Sequence, residues 1–216
     1  MVSNRLLGQV GAAFFVLGAL AGIAVAEDEA FRPMSVHQPD VRLGEVVFTL
    51  IGQVTNTPPD QSAQYGYLTG IAGMDHLFAS PTEDETSAFF TFYTEATTVA
   101  VRHNGPMTIV EREGTTTVYY NAVPHASFAD PDSFRDGQAV LVMTLKQQVI
   151  LDSVATAFSV VVGNNVTAND SFEKDGRTWI LARRHDNFRW ALTGRQNATP
   201  PPSGHFAAYV VKVQGD

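Results

Sequence analysis

No cysteine occurs anywhere in the 216 residues. Disulfides, thiolate metal sites, a thiol nucleophile and a cysteine-linked lipid anchor are all excluded. Lysine is nearly as scarce, with only Lys146, Lys174 and Lys212. Fourteen Lys and Arg stand against 22 Asp and Glu, a net charge of −8. No basic stripe is available to neutralise phosphates, which argues against nucleic-acid partners. Anionic membrane surfaces are disfavoured for the same reason. The usual chemical signatures are missing too: no GxSxG elbow, no HExxH, no GxxxxGK[ST] loop and no GxGxxG. No serine stands in a context that marks it as a nucleophile, and no motif points to a cofactor.

What is present begins with an uncharged run from Leu6 to Ala26, behind Arg5. It ends Ala24-Val25-Ala26, and Glu27-Asp28-Glu29 follows. A positive end, an apolar run and small residues two apart form the signal-peptide pattern. The expectation is a signal helix over residues 1–26, cleaved after Ala26, and a secreted or periplasmic mature chain with no membrane contact. An uncleaved anchor is the alternative, because the run is long enough to cross a bilayer. Removing 26 of the 216 residues leaves 190, which fits one domain with a sizeable core. Residues 27–40 read as an extended segment and 41–216 as a single barrel-like domain.

From Val41 onward the period is two. Val46, Phe48 and Leu50 alternate with Val47, Thr49 and Ile51, so that strand is apolar on both faces. Gly66, Gly70 and Gly73 suggest bends or close backbone approach. Thr86 to Val101, dense in aromatic and β-branched residues, predicts a long strand. His103-Asn104-Gly105-Pro106 predicts a turn. Met107–Arg112 and Thr115–Tyr120 read as a tight hairpin across Glu113-Gly114, and Asp175-Gly176 marks a second. Gln138 to Asp152 suits a strand broken near Lys146-Gln147-Gln148. Asp132 to Arg135 suits one helical turn. Further strands follow at Ser153–Gly163, Phe188–Thr193 and His205–Val213. Many short strands without a long helix predict an all-β fold. A single antiparallel β-barrel is preferred to a β-sandwich, because closure removes apolar edges that invite aggregation. The coarse pattern is similar to that of small exported barrels such as lipocalins and the allene oxide cyclase and dirigent proteins. That is a likeness of architecture, which does not fix function.

Candidate site residues are few. The six histidines show no i, i+4 pair, so the helical zinc spacing is absent and no metal site is predicted. Asp130, Asp132 and Asp136 share one loop, but Phe134 and a late Gly137 break the calcium-loop spacing, and a capped turn explains them. Glu83-Asp84-Glu85 reads as a solvated run. Arg183 and His185 alternate onto one face and could clamp an anion, although a solvated strand end accounts for them equally. Glu45, Glu95 and Lys146 interrupt apolar strands. Inside a barrel any of them would need a partner or ligand, whereas on the outside they simply face water. With Tyr67, Phe92 and Arg183 they form the set of cavity candidates. The expected function is the binding of a small apolar molecule. A structural protein with a filled core and a cofactor-free isomerase or cyclase are the alternatives, catalysis being disfavoured because no catalytic constellation is visible.

Overall fold

The computed structural model describes residues 35–198 and 203–214. The expected signal helix and its cleavage site lie outside the described residues. Eleven strands carry the described fold: β1 (Val36–His37), β2 (Val46–Thr57), β3 (Gln61–Ile71), β4 (Phe90–Asn104), β5 (Met107–Tyr120), β6 (Gln138–Asp152), β7 (Ala157–Asn169), β8 (Phe172–Lys174), β9 (Arg177–Trp179), β10 (Asn187–Gln196) and β11 (Ser203–Gln214). Eight of them close an antiparallel barrel in the order β10-β11-β2-β3-β4-β5-β6-β7. The barrel, not the sandwich, is the architecture, and closure leaves these strands no edge.

Up-and-down order sorts the connections between the two ends. The β2–β3, β4–β5, β6–β7 and β10–β11 hairpins turn at one end. The long segments 72–89, 121–137 and 170–186 all leave the other. The last of these contains the Asp175-Gly176 hairpin, whose two residues take φ of 52° and 71° as its turn requires. It forms β8 and β9, which join β1 in a separate three-stranded sheet, Val36 lying parallel to Thr178. Phe172 packs 5.4 Å from the Phe90 ring and 4.8 Å from Tyr120. Trp179 and Leu181 join the same core. This end is therefore closed by packed rings.

Alternation fills the interior. Phe48 and Leu50 of β2, Phe90 and Phe92 of β4, Leu141 and Met143 of β6, Phe188 and Trp190 of β10 and Phe206 of β11 are all buried in one cluster. A second, smaller cluster lies outside the barrel wall. There the 121–137 segment folds back over β3 and β4, setting Phe134 5.5 Å from Tyr65, and the Phe134 carbonyl accepts from the Thr91 hydroxyl at 2.8 Å. The predicted helical turn is there, as a 3-10 turn over Pro131–Arg135.

Two expectations are corrected. Glu113-Gly114 is no turn: β5 runs unbroken for 14 residues, and Gly114 sits mid-strand opposite Ala96. A Cβ there would lie 2.0 Å from the Glu95 carbonyl oxygen, so the glycine serves close strand approach. The turn is one step earlier, where Asn104 faces Met107 across Gly105 at φ 59°. Likewise β6 is continuous through Lys146-Gln147-Gln148, because Gln147 points inward between Leu145 and Val149 and finds a partner inside.

Candidate binding cavity

At the hairpin end the barrel is not filled. A cavity of about 130 Å³ opens there. Its lining divides by strand. Asn56 of β2, Gln64 of β3, Arg112 of β5 and Gln147 of β6 make one polar wall. Val54, Val149, Leu151, Phe158, Val160, Leu192 and Phe206 make the rest, with Gln196, Asn197 and Ser203 at the rim.

Each polar side chain has a local reason to be there. Arg112 shares the inward face of β5 with Val110 and Thr116, two and four residues away. Its Nη2 donates to Asn56 Oδ1 at 2.7 Å and its Nε to Thr98 Oγ1 at 3.5 Å. Burial of the guanidinium pushes its pKa down to about 10, since a dry surrounding disfavours charge. Gln64 and Gln147 are 5 % exposed and face each other across the barrel, Gln64 Nε2 donating to Gln147 Oε1 at 2.8 Å. Truncating either amide to leucine leaves the other buried and unpaired, and is expected to cost about 1–3 kcal/mol. The double variant Gln64→Leu/Gln147→Leu should recover most of that loss. Urea unfolding of the two singles and the double checks this, and additive losses would show that the amides act independently.

The residues singled out from sequence lie mostly elsewhere. Glu95 is on the outer face of β4, beside Arg135 Nη2 at 2.5 Å, with that guanidinium 3.8 Å over the Tyr93 ring. Lys146 is also outside, its side chain 81 % exposed and 3.4 Å from Glu113. Glu45 precedes β2, is exposed, and accepts from the Arg42 amide at 3.0 Å. The reading in which these three face water is the one the geometry follows, since the inward parity of their strands belongs to Phe92, Gln147 and Phe48. Tyr67 is buried on the outer face of β3, edge-on to Phe78 at 6.1 Å. Its hydroxyl pKa is raised by burial, then by Glu85, Asp84 and Glu83. Arg183 sits in the 170–186 segment at the closed end and donates to Gln38 Oε1 at 2.9 Å. Phe92 alone points into the barrel, one ring behind the lining, 6.3 Å from Phe206. Asp130, Asp132 and Asp136 do not converge, and among the described residues no three His, Asp or Glu gather around a point a cation could occupy. A second, shallower depression runs over the outer face of β5, β6, β7 and β10. It is lined by Glu111, Glu113, Lys146 and Arg189 and has the mixed charge of a solvated wall.

The cavity residues missed from sequence are Asn56, Gln64, Arg112 and Gln147. One signal could have found Arg112. Read as a single strand, Val110, Arg112, Gly114, Thr116 and Val118 fall on one face, and its apolar ends name that face as the inner one. Comparisons with family models, with curated proteins and with solved structures found no match to this chain.

Proposed function

We propose that this barrel is a receptacle for one small organic molecule with an apolar body, admitted at the hairpin end. The observation that carries the reading is the uneven filling of one interior. The closed end is packed ring on ring, whereas the hairpin end keeps a cavity walled by Val149, Val160, Leu192, Phe158 and Phe206. Apolar walls with a few convergent polar groups are the usual make-up of small-molecule sites. The size suits a body near that of benzene, roughly six to nine non-hydrogen atoms, by comparison with apolar cavities of about 150 Å³ that take up benzene. Holding is favoured over catalysis because, among the described residues lining the cavity, Arg112 is the only ionisable one. An acid–base pair needs a group that titrates nearer neutrality. The leader-like run ahead of Ala26 supports an exported receptacle.

Ligand-observed NMR against small aromatic and aliphatic compounds tests the reading. Binding is expected, with the methyl resonances of Val54, Val149, Val160 and Leu192 shifting on titration. No binding at millimolar concentration, or shifts confined to the outer face around Val161 and Gly163, would remove it.

A further inference from the structure

We infer that the molecule held in this cavity carries a single carboxylate, received by Arg112; the inference rests on the receptacle reading above.

Among the described Lys and Arg that are not exposed, Arg112, Arg135, Lys174 and Lys212, only Arg112 has no carboxylate at ion-pair distance. Arg42, Arg177, Arg183, Arg184, Arg189 and Arg195 have none either, but they are exposed. Arg102, Arg135, Lys146, Lys174 and Lys212 each have a carboxylate, from Glu111, Glu95, Glu113, Asp175 and Asp186 respectively. Lys212 shows that this fold pairs a largely buried cation when it can, for its Asp186 partner is 1 % exposed. Arg112 projects into the barrel, and among the described residues no carboxylate pairs with it. Acids are in excess in this chain, 22 against 14 bases, so want of carboxylates does not explain the gap. A desolvated cation without a counter-ion is costly. Its observed partners are neutral: the Asn56 amide oxygen and, more weakly, the Thr98 hydroxyl. A guanidinium offers five N–H donors, and these two contacts leave donors over for a planar two-oxygen acceptor.

Three features select a carboxylate with an apolar body. First, one cation balances one negative charge. A phosphate monoester near pH 7 would bring almost two, with no second cation in the lining. Second, the neighbouring amides are neutral and cannot balance the guanidinium charge, and Gln147 Oε1 already accepts from Gln64 Nε2. Third, polarity is uneven around the ring of strands. Asn56, Gln64, Arg112 and Gln147 come from β2, β3, β5 and β6, beside Val54, Val149 and Leu151, while the opposite side from β7 through β10 to β11 gives Phe158, Val160, Leu192 and Phe206, with Gln196 and Ser203 at the rim. A head on Arg112 therefore points its tail at apolar surface. A straight-chain or aromatic acid of hexanoate or benzoate size fits these limits.

Calorimetry with hexanoate, hexanamide and hexyl phosphate at pH 7 tests this on the intact mature protein. Hexanoate is expected to bind roughly ten- to a hundredfold more tightly than the isosteric amide, the worth of a hydrogen bond to a charged group. In Arg112→Met that preference should vanish while hexanamide still binds. Arg112→Lys should retain part of it, because the charge stays and the planar fork is lost. Equal binding of acid and amide to wild type would overturn the carboxylate and leave the receptacle standing. So would an undiminished preference in Arg112→Met, and so would tighter binding of hexyl phosphate than of hexanoate. No binding of any of the three would remove both. The acid–amide comparison uses wild type alone, so it decides the matter even where a variant fails to fold.

Discussion

Gly66→Val is expected to lower the melting temperature by roughly 6–12 °C, the equivalent of about 3 kcal/mol or more in a domain of this size. Gly66 lies on β3 directly across from Gly52 of β2. A Cβ on it would stand 2.1 Å from the Ile51 carbonyl oxygen and 2.6 Å from the Gly52 Cα. Those are backbone atoms, so no side-chain rotation relieves the overlap. The two strands would have to part, breaking ladder hydrogen bonds beside the wall that carries Asn56 and Gln64. Gly163→Ala is the contrasting substitution in the same barrel. On β7 the nearest atom to a new Cβ is the Lys146 carbonyl oxygen, at 3.9 Å. That substitution restricts the unfolded chain more than it strains the folded one, and should stabilise by about 0.4–1 kcal/mol. Differential scanning calorimetry of both variants reads the difference. A Gly66→Val protein that melts within roughly 2 °C of wild type would mean that β2 and β3 do not approach this closely.

The same contrast explains what could be read from the chain. Alternation in β2 and β4 was legible, since Phe48, Leu50, Phe90 and Phe92 mark the inner face with large apolar side chains. Asp175-Gly176 was legible as a turn because both positions take positive φ there. Glu113-Gly114 shows the same dipeptide chemistry and does something else. Glycine serves sharp turns and close strand contacts alike, and one sequence position does not say which. That single ambiguity concealed the site. A turn at Glu113-Gly114 separates Val110 from Thr116 and Val118 and breaks the parity that puts Arg112 inside. The charged residues that caught attention, Glu95 and Lys146, lie one step out of phase with inward neighbours: Thr94 and Ala96 for one, Leu145 and Gln147 for the other. The amides were harder still. Nothing local says that Gln64 meets Gln147, 83 positions away, because only barrel closure brings β3 and β6 to face each other.

Phe158→Ala should be the most disruptive truncation in the cavity wall, costing about 3–5 kcal/mol. Phe158 is 6 % exposed, and its ring occupies the space that side chains would need at Gly194 of the adjacent β10 and at Gly204 of β11. A Cβ on Gly194 would fall 2.4 Å from its Cζ, and one on Gly204 2.9 Å from its Cε1. Backbone glycines cannot move in to fill the space, so the truncation leaves a hole joined to the existing cavity. The hole should be useful to a bulkier guest. Relative to hexanoate, 4-phenylbutyrate is expected to gain roughly tenfold in affinity, since its ring regains part of the apolar contact that the alanine gave up. Competition calorimetry on wild type and variant measures that ratio directly, and Phe158→Leu supplies a gentler truncation where Phe158→Ala melts too low. A ratio that stays fixed while both affinities fall together would mean that Phe158 supports the barrel without bordering the bound molecule. The acid would then have to lie nearer Val54 and Val149, on the strands that also carry Asn56 and Gln147.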